Sequence, residues 1–212
     1  MQVQELDERS IRKSALLSSM QMEKAIPPQD VIKVLDRAKI SFVLVGAYGL
    51  AGWRKESRAT EDVDVVVSAK QIKKAVKVLC QAFPHLEPVD LPVVVRLRDR
   101  DTQDVAIDVM KPLQQPYRDV FKHTHTVHSG GQKYRVPSLE MAILMKFSSM
   151  TSLYRANEDR HRDAQDFIRM VKRNPELDAN KLAELGTLLY PDGGKDVVDM
   201  ARKAVAGETL NI

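Results

Sequence analysis

The run Asp62-Val63-Asp64-Val65-Val66-Val67 constrains this chain more than any other stretch. Its β-branched valines favour an extended strand, and in a strand residues two apart share a face. Asp62 and Asp64 therefore project together, while Val63 and Val65 face the other way into a core. Two carboxylates side by side at the head of an apolar strand repel one another and lose solvation. Their pKa values rise unless a cation offsets the charge. Hard oxygen donors of this kind suit Mg²⁺ or Mn²⁺, which take few protein carboxylates and fill their other sites with water and phosphate oxygens. A third acid, Asp108, lies in Val105-Ala106-Ile107-Asp108-Val109-Met110. There Val105, Ile107 and Val109 form one face, and Ala106, Asp108 and Met110 the other. An acid midway along an apolar strand is uncommon unless it is paired or metal-bound. Placed beside Asp64 in a sheet, Asp108 completes a cluster able to hold two metal ions. Taken alone, the Asp-x-Asp pair equally fits a strand end or a turn.

The rest of the chain is read by periodicity. Residues 1–26 are polar and weakly amphipathic and predict an N-terminal helical arm, closed by Pro27-Pro28. Val31, Val34, Leu35 and Ala38 share one face of a helix over 30–39. Residues 42–46 form a short apolar strand ending in Gly46, 46–53 a short helix or turn, and 62–67 the strand of the acid pair. A helix over 70–83, strands at 93–98 and 104–110, and a hairpin around Gly130-Gly131 follow. From Pro137-Ser138 onward only helices are expected, at 138–151, 158–173, about 178–189 and about 195–206. The expected organisation is an arm (1–26), an α/β core (27–137) and a C-terminal helical region (138–212) able to close over the core.

Composition narrows the class. With 43% hydrophobic and 29% charged residues the chain reads as an ordinary globular protein. Cys80 is the single cysteine, which excludes an intramolecular disulfide, and its amphipathic setting makes it a packed thiol. The charged N-terminus lacks the apolar segment of a secretory signal, and no stretch is long and apolar enough to span a bilayer. A cytoplasmic protein without a membrane partner is expected. The net charge of +4 sets 33 basic against 29 acidic residues, a mild excess that permits a phosphate-bearing partner without demanding one. His123, His125 and His128 have no cysteine or acid beside them and read as a solvated hairpin edge.

The segment VLVGAYGLAGWRKESRATEDVDVVV (43–67) resembles the signature of the nucleotidyltransferase superfamily: strand, Gly-small turn, short helix, then Arg-x-Thr-x-Asp-x-Asp on the next strand. The later order is similar to the branch containing the AbiEii-type abortive-infection toxins and related bacterial proteins. It comprises Asp108 on a later strand, VPSLEMAILMK (136–146) and RHRDAQDF (160–167), so the resemblance spans roughly residues 40–172. It implies an α/β (α+β) fold with a mixed sheet flanked by helices, followed by a helical bundle. It also implies transfer of a nucleoside monophosphate from a nucleoside triphosphate (NTP), with Mg²⁺ or Mn²⁺ on Asp62, Asp64 and Asp108. Nucleotide contacts fall to Gly46, Ala47, Arg58, Thr60, Lys146 and Arg160. Asp163 becomes a base or orienting group facing the cleft. Many relatives have Gly-Gly or Gly-Ser where this chain has Gly46-Ala47, so backbone N–H groups must replace any hydroxyl contact.

Each assignment has a plainer alternative. Gly46 also fits a strand-ending turn, and Arg58 also fits a pair with Glu56 or Glu61. Lys146, on an apolar helix, either snorkels to water or enters a polar pocket. Arg160 and Asp163 also fit an ordinary i, i+3 ion pair. The expected activity is nucleotidyl transfer to an acceptor hydroxyl, with an RNA such as tRNA favoured and a cognate antitoxin as partner. Small-molecule (antibiotic-type) or protein acceptors, a non-catalytic binding module and a two-metal phosphohydrolase are the competitors.

Overall fold

Helix α1 (Pro28–Arg37) starts with proline at its first position, where the missing N–H costs nothing, and buries Val31, Ile32 and Leu35. The computed structural model describes residues 25–55, 60 and 62–210. The expected arm therefore lies outside the described residues, apart from Ala25 and the buried Ile26.

Strand β1 (Phe42–Leu44) leads into two single-turn helices, α2 (Gly46–Gly49) and α3 (Ala51–Arg54). Strand β2 (Val63–Val67) and helix α4 (Ile72–Ala82) follow, and then β3 (Leu86–Asp90), β4 (Val94–Asp99) and β5 (Val105–Met110). Strand β3 occupies a stretch to which the sequence assigns no element. It lies at the sheet edge, where Pro88 needs no ladder donor and is exposed together with Asp90. The strand order is β1-β2-β5-β4-β3. All neighbours are antiparallel except β2 and β5, which run parallel. The predicted hairpin forms as β6 (Thr124–Ser129) and β7 (Gln132–Pro137), turning on Gly130 and Gly131, both at positive φ.

Beyond the hairpin come α5 (Leu139–Met150), α6 (Asn157–Arg173), α7 (Ala179–Gly186) and α8 (Gly193–Ala206). Ser138 caps α5, its hydroxyl accepting from the Met141 N–H. Helix α5 is buried on nearly every side, through Met141, Ile143, Leu144, Phe147 and Met150, as befits a helix that is apolar all round.

Strand alternation sorts the core into two layers. Phe42, Leu44, Val63, Val65 and Val67 pack with α1 and α4. Val43, Val45 and Val66 pack with Phe147, Phe167 and the rest of the C-terminal helices. The fold is thus a mixed sheet flanked by helices, with the C-terminal helices forming one of the flanking layers. Asp62 and Asp64 share the parity of Val66 and so open toward that helical layer. Among the described residues no helix is long and apolar enough to cross a membrane.

Because Phe167 shares its cluster with strand valines, Phe167→Ala is expected to destabilise the whole molecule by about 3–5 kcal/mol. Urea denaturation followed by fluorescence and circular dichroism should show one shifted transition. Separate transitions for sheet and helices would contradict the shared layer.

Candidate active site

The parallel pairing of β2 with β5 puts Asp64 directly opposite Asp108. Asp62 precedes β2 by one residue, and one carboxylate oxygen from each of the three acids lies within 4.8 Å of the others. The Thr60 hydroxyl donates to Asp62 Oδ1 at 2.5 Å and orients it. On the far side of Asp108, Arg96 stands across from it on β4, with Nε 3.4 Å from Oδ1.

Burial sets the electrostatics. It pushes the Asp64 carboxyl from 3.8 up to about 7, with the charges of Asp62 and Asp108 adding to the rise. Lys146 and Arg155 pull it partly back. Burial also raises Asp108, against the pull of Arg96 and with a further push from Asp62. Three crowded hard-oxygen donors, one raised close to neutral pH by burial and by its acidic neighbours, fit a divalent cation.

Gly46 lies against this cluster with φ +59°, a left-handed conformation that suits glycine. A Cβ there would stand 1.8 Å from Asp64 Oδ2 and 2.9 Å from Asp64 Cβ. The residue is therefore more than a strand-ending turn: it leaves the room the Asp64 carboxylate occupies. The next residue, Ala47, is buried and lines the same cleft.

Lys146 does not snorkel. Its side chain is 11% exposed, and Nζ sits between Asp163 Oδ1 at 2.6 Å and Asp166 Oδ2 at 2.9 Å. Both acids project from α6. Arg155 binds the other oxygen of Asp163 at 2.7 Å, and Arg54, 1% exposed, binds Asp166 at 3.1 Å. Arg54 also donates to the Ala47 carbonyl at 2.9 Å, so the network runs from α6 back to the glycine turn. The end of α6 is strapped to α3 by Asn174, which donates to the Trp53 carbonyl, and by Arg173, which donates to that of Arg54.

Together these groups line a cleft of about 360 Å³ between the strand ends and the helical layer. It contains Gly46, Ala47, Thr60, Asp62, Asp64, Asp108, Lys146 and Asp163 from the sequence reading. Arg160 is absent from it, and the expectation that it faces the cleft is corrected. Its Nε donates to the Met150 carbonyl at 3.0 Å, closing the end of α5, while Arg155 and Arg162 reach the cleft instead. Arg58 lies outside the described residues.

Sequence reasoning missed Arg54, Arg96, Tyr117, Ser149 and Arg155. Two of these carried a signal: Ser149 follows Lys146 by three residues on one helix, and Arg96 alternates with the buried Val95 and Leu97. Tyr117 comes from the β5–β6 connection. Burial and the Asp64 charge push its phenol above its ordinary value, and the Ser149 hydroxyl and Arg155 oppose them.

No family model matches the chain, and no curated protein matches it. Solved structures do. ANT(2")-Ia in complex with adenylyl-2"-tobramycin aligns with a TM-score of 0.52 at 11% identity, covering 74% of this chain and 91% of that one. The chain shares that protein's fold, a mixed sheet flanked by helices. An antigenic nucleotidyltransferase-like protein from Paracoccidioides brasiliensis is 23% identical over 84% of this chain and 93% of its own, with a TM-score of 0.49. The lincomycin-bound lincosamide antibiotic adenylyltransferase LnuA is 14% identical over 68% of this chain and 98% of its own, with a TM-score of 0.46.

Two outcomes follow from this geometry. Gly46→Ala should lower the thermal midpoint, by left-handed strain of roughly 1–2 kcal/mol plus the collision with Asp64. In an Asp64→Ala background the same change should cost clearly less; equal costs would show that the two residues do not collide. The second outcome concerns pH. Between about 4 and 7 the folded state keeps an Asp64 proton that the unfolded chain releases, so this group's contribution to stability falls as pH rises to about 7. In protein stripped of divalent cations, Asp64→Asn should therefore be more stable than wild type at pH 8, by on the order of a few kcal/mol. At pH 4 the two should be alike. Calorimetry at both pH values checks this.

Proposed function

We propose that this chain is a metal-dependent nucleotidyltransferase, moving a nucleoside monophosphate from a nucleoside triphosphate to an acceptor hydroxyl with release of pyrophosphate. The observation that carries the reading is the in-register Asp64–Asp108 pair with Asp62 beside it, walled by Gly46 and facing Lys146.

Asp62, Asp64 and Asp108 are the residues that would hold Mg²⁺ or Mn²⁺. The metal, when bound, supplies the charge that lowers the pKa of the attacking hydroxyl and steadies the leaving pyrophosphate. Thr60 keeps Asp62 turned to the cluster. The Gly46-Ala47 turn leaves space for a phosphate beside Asp64. Lys146 and Arg155 offer the phosphates positive charge that is already in position, so little reorganisation is needed as negative charge moves to the leaving group. Asp163 acts as an orienting group, since a cation sits on each of its oxygens.

RNA is the favoured acceptor, and membership of the AbiEii-type toxin branch, with a cognate antitoxin and a cytoplasmic site of action, is part of this proposal. Arg96, Arg155 and Arg162 are each partly exposed on the cleft, where they would meet the phosphates of such an acceptor once released from their carboxylate partners. The bound adenylyl-tobramycin of the structural neighbour motivates the second reading, a small antibiotic acceptor.

The test is incubation with each α-labelled triphosphate, Mg²⁺ and total RNA or an aminoglycoside panel. Label should enter RNA and should fall more than ~100-fold with Asp64→Ala or with a chelator. Turnover unaffected by Asp64→Ala would end the mechanism, and label confined to the antibiotics would exchange the acceptor. Expression in bacteria should arrest growth, and Asp62→Ala should relieve it; indifference to the active protein would remove the toxin role.

A further inference from the structure

Arg96 holds an unusual position. It lies directly across the β4–β5 ladder from Asp108, and its Nε is 3.4 Å from Asp108 Oδ1. Both atoms are sealed from solvent, yet neither makes a hydrogen bond. The contact is an ion pair at the long end of hydrogen-bond range, without the short, aligned bond that would lock it. The two partners also differ in freedom. Asp108 is 7% exposed on a central strand, while the Arg96 side chain is 39% exposed and lines the same cleft as Gly46 and Lys146.

A guanidinium and a divalent cation cannot share that carboxylate comfortably, because their like charges would stand a few ångströms apart in a partly buried site. One must yield, and the exposed flexible arm is the one able to move. In leaving Asp108 it swings through the cleft that the proposed reaction gives to the triphosphate. A planar fork of donors there matches phosphate oxygens well.

We propose that Arg96 is a displaceable counter-ion, competing with the divalent cation for Asp108 and passing to the nucleotide phosphates when the metal takes the carboxylate. Metal and nucleotide then bind cooperatively: the metal frees Arg96 for the phosphates, and the phosphates hold Arg96 away from Asp108. By linkage each ligand raises the affinity for the other by the same factor. Weak binding of either ligand alone limits idle loading of the site. The inference rests on the nucleotidyl-transfer reading and adds a positioning residue to it.

Arg98 is the internal control. It follows Arg96 by two residues on the same strand, and its charge reaches Asp108 only through space. Removing it deletes the same unit of charge without deleting the contact.

The experiment uses the full chain as wild type, Arg96→Gln, Arg96→Lys and Arg98→Gln. Free Mn²⁺ is titrated by electron paramagnetic resonance, with and without an α,β-methylene ATP analogue that cannot transfer its nucleotide. In wild type the analogue should tighten Mn²⁺ binding strongly. Arg96→Gln should bind Mn²⁺ alone about 5–10-fold tighter and lose at least about fivefold of that coupling. Arg96→Lys, which keeps the charge but not the fork, should bind Mn²⁺ alone near wild type and lose part of the coupling, and Arg98→Gln should shift Mn²⁺ affinity by less than about twofold. Equal shifts in Arg96→Gln and Arg98→Gln would reduce the effect to a general field and overturn the proposal, as would unchanged coupling in Arg96→Gln. If wild type binds neither Mn²⁺ nor the analogue, the nucleotidyl-transfer reading falls as well, an outcome separate from both of these.

Discussion

Mutual repulsion among three carboxylates is the condition around which the rest of this molecule is arranged. Asp62, Asp64 and Asp108 crowd together where the sheet meets the helical layer, and burial with this crowding raises the Asp64 and Asp108 carboxyls above their ordinary values. A chain selected only for stability would replace them with apolar or neutral residues. Their neighbours compensate only in part: Arg96 reaches Asp108, while Lys146 and Arg155 act on Asp64 from further off. The remaining deficit of positive charge suits the cluster to a divalent cation.

The second organising element is the largely buried chain of ion pairs joining Arg54, Asp166, Lys146, Asp163 and Arg155, which Arg54 extends by a hydrogen bond to the Ala47 carbonyl. Buried ion pairs add little net stability, because desolvation offsets much of the attraction. What this one contributes is position. It ties the glycine turn to α6 and holds the Lys146 ammonium within the cleft. The apolar layer around Phe147 and Phe167 supplies the stability against which such polar geometry can be held.

Much of this was legible because strand alternation is a strict rule. Asp62, Asp64 and Val66 share a face with no reference to the rest of the chain, and the apolar surroundings of Asp108 marked it as anomalous. The apolar surroundings on α5 likewise made Lys146 stand out, and the family resemblance assigned it to the nucleotide. Other features had no such local signature. Strand β3 is short, lacks a regular apolar-polar alternation and is interrupted by Pro88, so its strand character comes from pairing with β4. Arg160 and Asp163 lie on one turn of α6, and the family resemblance put both on the cleft side. The structure separates them, because the end of α5 presents the Met150 carbonyl to Arg160 while Lys146 claims Asp163.

The sequence by itself determined which residues had to be near water, metal or core: the acid pair, the buried third acid, the small turn after β1 and the helical second half. Those are local properties, set by backbone periodicity and by the cost of burying charge. Only the tertiary structure decided which distant groups meet. The parallel pairing of β2 with β5 puts Asp108 opposite Asp64, the approach of α6 brings two aspartates onto one lysine, and Arg54 becomes a buried link. Such contacts depend on strand order and helix packing, which many sequences with the same local pattern could satisfy differently. The three aspartates could therefore be named from the chain, while their counter-ions could be assigned only from the fold.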